Sequence, residues 1–417
     1  MAITIDDLTA GQRGALNTVV KMADRPRGGF PETCVIRGPA GTGKTTLLRI
    51  INEEIGQSHV VAPTGKAALR VRQAAGCGAS TIHRLLFKPL KDEITGEVKF
   101  SLKEPHEIGV PESGCLIADE SSMIDERLHD SMMVMAQALG LNVIFLGDLA
   151  QLPPVAPPGQ RPFNILDPKL YEPTYSADLT EIVRQAQGDP LIQTSFYLRT
   201  NQPLEAMRRL ESIPQENLVA EAAGVIQRGG AVLVHTNAVR NKLNRAVRKH
   251  LGYGDDVYDG EPLVVNKNNY QTNMFNGEIV TFHRWHTVPR GPYVVDSRYT
   301  GARQDVYFGR AYVQGVEGDE QRVVLCRDEI FGEIKEGIGH GAISASAKRW
   351  WGKEDPALHL NFGYSLTVHK SQGSEWNEVL VIFDKVNVNT LDGRRWAYTA
   401  ITRSKKKVRI CMYSDDG

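Results

Sequence analysis

The chain has 417 residues, 41% of them hydrophobic and 24% charged, enough for two or three folded domains and too apolar for a disordered polymer. Its 49 Lys+Arg and 49 Asp+Glu cancel, which argues against a tight non-specific duplex binder with a basic surface but leaves room for a local basic groove. No apolar run reaches the length of a spanning helix, and the five scattered cysteines (Cys34, Cys77, Cys115, Cys326, Cys411) lack the spacing of a disulfide frame or zinc site. The Met1–Asp7 start has neither a basic region nor an apolar core, so a cytoplasmic protein with reduced thiols and no membrane partner is expected.

In chain order, short β-branched runs alternate with helical stretches. Thr33–Ile36, Ser58–Ala62, Cys115–Ala118 and Asn142–Leu146 form one set of candidate strands. Ala231–His235, Gly277–Phe282, Val379–Asp384 and Lys407–Tyr413 form a second. Several are continuously apolar, as strands buried on both faces of a parallel sheet must be. Two sets predict two α/β lobes, and the proline-rich stretch Gln151–Pro162 places the boundary at 155/156. Two insertions are expected: a β-hairpin in 87–114, turning near Thr95-Gly96, and a small β subdomain in 283–356.

Gly38-Pro39-Ala40-Gly41-Thr42-Gly43-Lys44-Thr45 follows a predicted strand and runs into the helix-like stretch from Thr46, which is the context a phosphate-binding loop requires. Glycines let backbone N–H groups turn inward, and the helix N-terminus adds partial positive charge. Lys44 is expected on the β- and γ-phosphates of ATP and the Thr45 hydroxyl on Mg²⁺. Downstream, an apolar strand ends in Asp119-Glu120, the place where open α/β sheets bind ligands. Asp119 is the expected second Mg²⁺ ligand and Glu120 the base that activates water. His283-x-x-His286 has no companion ligand nearby and is read as strand, not metal site; Trp350-Trp351 is read as packing.

Further motifs carry a resemblance. Leu8-Thr9-Ala10-Gly11-Gln12, Ala62-Pro63-Thr64-Gly65-Lys66-Ala67-Ala68, Ser80-Thr81-Ile82-His83 and Gly147-Asp148-Leu149-Ala150-Gln151-Leu152-Pro153-Pro154-Val155 lie in the first half. Leu179-Thr180-Glu181-Ile182-Val183-Arg184, Val368-His369-Lys370-Ser371-Gln372-Gly373-Ser374-Glu375 and Tyr398-Thr399-Ala400-Ile401-Thr402-Arg403 lie beyond the expected boundary. Together they resemble superfamily 1 helicases, specifically the RecD-like 1B branch and most closely its phage Dda-type members. The resemblance spans most of the chain and is weakest in the two insertions and in 187–230.

It implies an α/β fold of two RecA-like P-loop lobes, with a hairpin wedge in the first and an SH3-like insertion in the second. It implies ATP-driven 5′→3′ movement on single-stranded DNA, unwinding at single-strand/duplex junctions, and a monomer working beside replication or single-strand-binding proteins. Gln12 would read adenine, and Gly38, Gly41, Thr42, Gly43, Lys44, Thr45, Thr46, Gly373 and Glu375 would surround the nucleotide. Gln151 would sense the γ-phosphate, with Arg184 and the arginine finger Arg403 reaching it from beyond the boundary. Thr64, Thr81, His83, Thr367, His369 and Lys370 would hold strand phosphates, with Pro89 and Phe100 parting the bases. Two other readings stay open from the residues: an RNA or ribonucleoprotein translocase, and an ATP-gated binding protein that never unwinds.

Overall fold

The computed structural model describes residues 4–23, 29–56, 58–91, 98–109, 114–154, 163–183, 189–269, 271–297, 299–315, 318–352 and 354–414. Eight strands form in the first part: β1 (Thr33–Arg37), β2 (Ser58–Ala62), β3 (Ala79–Thr81), β4 (Phe87–Lys91), β5 (Val98–Leu102), β6 (Cys115–Ala118), β7 (Asn142–Gly147) and β8 (Tyr175–Asp178). Six of them make a sheet in the order β3-β2-β6-β7-β1-β8, parallel at every pairing. The side-chain period of two divides each strand between two cores. Cys34, Ile36, Ile117, Ile144 and Leu146 face one core; Val35, Leu116, Ala118, Val143 and Phe145 face the other. Every residue of β6 and β7 is buried, which explains their continuous apolar runs. Emptying one central position, as in Phe145→Ala, costs about 3–5 kcal/mol.

Ten strands follow: β9 (Glu211–Ser212), β10 (Ala231–Val234), β11 (Pro262–Val265), β12 (Ile279–Asp296), β13 (Arg303–Gln314), β14 (Glu320–Cys326), β15 (Leu360–Phe362), β16 (Leu366–Thr367), β17 (Trp376–Asp384) and β18 (Ser404–Tyr413). A second parallel sheet has the order β16-β10-β17-β18-β9. A third, antiparallel, has the order β14-β13-β12-β11-β15. The chain is therefore α/β with two parallel sheets. No helix among the described residues is long and apolar enough to cross a membrane.

Three expectations need correction. The boundary at 155/156 falls too early, because β8 pairs with β1 and keeps the chain in the first sheet to Asp178. β8 alternates half-buried and exposed residues, as an edge strand does, and so carries little apolar signal. Most of the proline-rich stretch, 155–162, lies outside the described residues. Gly277–Phe282, expected in the second parallel sheet, instead enters β12 of the antiparallel sheet. That subdomain accordingly begins with β11 and ends with β15, wider than 283–356. The first insertion does form the antiparallel pair β4–β5, with Phe87 opposite Leu102 and Pro89 opposite Phe100. Its Thr95-Gly96 turn is outside the described residues.

Candidate nucleotide site and nucleic-acid face

Parallel strands place all their C-terminal ends along one edge, so motifs far apart in sequence converge there. β1 ends at the phosphate loop, β6 at Asp119-Glu120, β7 at Asp148 and β2 at Thr64. In the loop, Gly41 and Gly43 take left-handed φ values of 83° and 72°. At Gly43 a Cβ would lie 2.6 Å from Gln12 Nε2, so a side chain there would displace the Gln12 amide. Lys44, Thr45 and Thr46 form the first turn of the Lys44–Ile55 helix. The Lys44 ammonium donates to the carbonyls of Gly38 (2.7 Å) and Pro39 (3.0 Å), and buried Thr42 donates its hydroxyl to Pro39 O. Gln12 is buried behind the loop, donating from Nε2 to Thr42 O and accepting from the Thr9 N–H. Its amide thus holds the loop backbone.

Asp119 and Glu120 are 4% and 5% exposed. Glu120 adopts a left-handed backbone (φ 52°), which turns the chain sharply after β6 at a cost of about 1–2 kcal/mol. Burial and the Glu120 charge push the Asp119 carboxyl up, so a cation beside it would be well received. Burial pushes Glu120 up as well, but Arg70, Arg403 and Lys44 outweigh it and hold that carboxyl below its usual range. The Arg70 guanidinium donates to Glu120 at 3.1 Å and pairs with Glu375 at 3.3 Å. Glu375 also pairs with Lys405 at 3.5 Å.

The second parallel sheet supplies the opposite wall. Arg403 is 2% exposed, donates to Thr399 O at 3.1 Å, and is close enough to Glu120 to help hold it ionised. Burial pushes the Arg403 guanidinium down, an effect that the charges of Glu120 and Glu375 oppose. The Tyr398 hydroxyl crosses between the lobes, accepting from the Ala40 N–H of the phosphate loop at 3.1 Å and donating to Asp148. Leu152 is clasped on both sides: its N–H donates to Thr399 Oγ1 (2.9 Å), and its carbonyl accepts from Gln372 (3.0 Å). Beside it Gln151 is buried, and its Oε1 has no hydrogen-bond partner. Gly373 (φ 75°) lies against Thr64 and Ala67, so the two lobes touch there as well.

Arg184 is outside the described residues. The segment leading to it is bound to the first lobe, since Val183 N–H donates to Gly41 O (3.0 Å) and Glu181 accepts from Gly11 N–H (2.9 Å). Gly11, Gly41, Glu181 and Val183 are thereby tied together within the first lobe. From the sequence Arg70 has no assigned role, and Tyr398 only opens the Tyr398–Arg403 motif. Arg70 looks like an ordinary helix-surface charge, and Tyr398 like an apolar core residue.

The candidate strand contacts fall into three groups. Thr64 and Thr81 cap the Gly65–Ala75 and Ile82–Leu86 helices, accepting from Ala67 and Arg84 N–H, which leaves each hydroxyl hydrogen for another acceptor. His83 lies 5.3 Å from Phe87 ring to ring, and burial pushes its imidazole down. Across the cleft, Thr367 is 7% exposed, burial and His235 push His369 down, and burial brings the Lys370 ammonium down to about 8. Lys370 donates to Asn266 Oδ1. Phe100 stands 45% exposed on the hairpin; nothing is described of the Pro89 side chain. His283 and His286 of β12 bond to separate partners, His283 to Asp259 and Gln314, His286 to Thr287.

A phosphate loop on one parallel sheet, faced by a buried arginine and tyrosine from another, defines a two-lobed P-loop nucleotide-binding protein. A family model described as an AAA domain matches residues 7–215, half of the chain, and one described as a UvrD-like helicase C-terminal domain matches 362–411. The chain belongs to the first of these families, within the RecD-like branch of superfamily 1B helicases related to Dda. The ATP-dependent RecD2 DNA helicase of Deinococcus radiodurans is 29% identical over 399 residues, 89% of this chain and 46% of that protein. The ATP-dependent DNA helicase dda of Enterobacteria phage T4 is 28% identical over 301 residues, 67% of this chain and 65% of that protein. The chain thus spans less than two thirds of either. Among solved structures, Pif1 helicase from Candida albicans shares the fold at TM-score 0.53 and 18% identity, covering 99% of this chain and 95% of its own.

Proposed function

We propose that this chain is an ATP-dependent DNA helicase that moves 5′→3′ along single-stranded DNA and separates duplex at junctions. The observation that carries the reading is the double-walled site, with Lys44 and Glu120 on one lobe and Arg403 and Tyr398 on the other. ATP phosphates would lie between Lys44 and Arg403. A water attacks the γ-phosphorus, Glu120 takes its proton, and the β–γ bridging oxygen leaves with ADP. An arginine positioned for that charge is worth about 10³–10⁵ in rate. The oxygen donors of Thr45 and Asp119 suit Mg²⁺, which would neutralise phosphate charge.

Because Arg70, Tyr398 and Leu152 couple the lobes next to this site, loss of the γ-phosphate is transmitted to both. Thr64, Thr81 and His83 on one lobe and Thr367, His369 and Lys370 on the other are the two grips that alternate. The β4–β5 hairpin with Phe100 is the wedge, and the antiparallel sheet takes the SH3-like role. RecD2 and dda carry the description ATP-dependent DNA helicase, and a Bacteroides Pif1 of TM-score 0.51 and 18% identity was crystallised with ADP-AlF3 and ssDNA, which supports the reading.

The test is ATP-dependent unwinding of duplexes carrying a 5′ or a 3′ single-stranded tail, with RNA-tailed duplexes alongside. Activity on the 5′ DNA tail, abolished by Lys44→Ala, is expected. Activity on the 3′ tail alone would overturn the direction. Preference for RNA would overturn the substrate, and ATP turnover without strand separation would overturn the helicase reading.

A further inference from the structure

The antiparallel subdomain holds a cluster that the proposed nucleotide cycle does not use. Glu329 lies on the short Arg327–Ile330 helix after β14, His340 opens the His340–Trp351 helix, and His359 directly precedes β15. Their ligand atoms lie within 4.8 Å of one another, the one such group among the described residues. Glu329 Oε1 is 2.8 Å from His340 Nδ1 and 3.1 Å from His359 Nδ1. The imidazole centroids are 4.5 Å apart. Glu329 and His359 are 5% and 3% exposed, while the His340 side chain, 41% exposed, forms the open rim.

We propose that Glu329, His340 and His359 bind one divalent transition-metal ion of the zinc class, with two imidazole Nδ1 atoms, one carboxylate oxygen and water as ligands. Zinc–nitrogen and zinc–oxygen bonds of about 2.0–2.2 Å in a tetrahedron require ligand atoms roughly 3.3 Å apart, so the two carboxylate–imidazole separations need to open by only a few tenths of an ångström. Two nitrogens and one oxygen favour Zn²⁺, Co²⁺ or Ni²⁺ over Mg²⁺ or Ca²⁺, which keeps the site chemically distinct from Thr45 and Asp119. The remaining ring nitrogen of His359 has a partner that would orient it as a ligand, Ser344 Oγ at 2.7 Å.

The metal would staple the His340–Trp351 helix to the end of β14 and the start of β15. It would also brace a strand contact. Asn361 donates to Glu329 O and accepts from Asn266, and Asn266 accepts from Lys370.

The experiment is a calorimetric titration of the chelator-treated, full-length protein with Zn²⁺ in excess Mg²⁺, repeated with Co²⁺ while the visible absorption is followed. One Zn²⁺ per chain, and cobalt absorption of a low-coordinate nitrogen–oxygen site, are expected. His340→Ala, at the exposed rim, should weaken binding at least tenfold while keeping the wild-type melting curve without metal and the wild-type ATPase. Glu329→Gln should lose the site as well, and Lys44→Ala should retain it. If wild type binds no ion, or His340→Ala binds as wild type does, the three side chains form only a hydrogen-bonded cluster and the proposal fails.

Discussion

Replacing Tyr398 by Phe removes a single oxygen and leaves the ring to fill its space, so no cavity forms. That oxygen accepts from Ala40 N–H at 3.1 Å and donates to Asp148, whose carboxylate is 2% exposed and keeps one other donor, Ala150 N–H at 3.0 Å. Burial holds the phenol well above its ordinary pKa, so the hydroxyl stays a donor through any usual assay. A neutral hydrogen bond nets about 0.5–1.5 kcal/mol and one to a charged group about 1.5–3, a combined loss of about 2–4 kcal/mol. Both bonds join the two lobes, so the loss falls on their closed arrangement and spares each lobe's own core. With tenfold for every 1.4 kcal/mol, ATP turnover on saturating single-stranded DNA should fall by roughly thirtyfold to several hundredfold. Steady-state ATPase assays, paired with denaturant unfolding, separate the two effects. Wild-type turnover by Tyr398→Phe would show that closure does not pass through this hydroxyl. A collapse of stability without a kinetic defect would relocate its role to the fold.

Arg70→Ala should shift the acid limb of the turnover profile to higher pH. Glu120 acts when ionised, and Arg70 is the foremost charge opposing its burial; without it the carboxyl rises, and activity disappears at a higher pH as acid is added. Superimposable pH–rate profiles would refute this. Phe100→Ala should lower unwinding several-fold more than ATPase, compared on one forked substrate; equal losses would remove Phe100 from strand separation. Gly277→Ala should lower unfolding stability by about 2 kcal/mol or more, since φ is +83° and the new Cβ would lie 2.7 Å from the backbone oxygen of Lys370. An unchanged denaturant midpoint would refute it.

Legibility in the sequence tracked burial. β2 and β6 have the expected bounds because their residues meet apolar neighbours on two faces, and their composition records it. β3, β8, β9 and β16 are two to four residues long or half polar, and only pairing with a longer neighbour makes them strands. The phosphate loop and Asp119-Glu120 were readable because local geometry demands those residue types in that order. Arg70 was not, because its pairing with Glu120 and Glu375 exists only once the tertiary fold brings them within reach. Glu329, His340 and His359 carry no sequence signal for the same reason, their spacing matching no short motif.

The excursion from β11 to β15 leaves and rejoins the second lobe at touching points, for Gly363 N–H donates to Pro262 O at 2.7 Å. A segment whose ends meet can be grafted onto a host without stretching it. Here host and guest also share a core: Val232 and Leu380 of the host belong to one apolar mass with Val280, Phe282 and Ala311 of the guest. A shared core resists rotation of guest against host, so in the proposed cycle the swing of the lobe would carry the outermost strand of the guest with it.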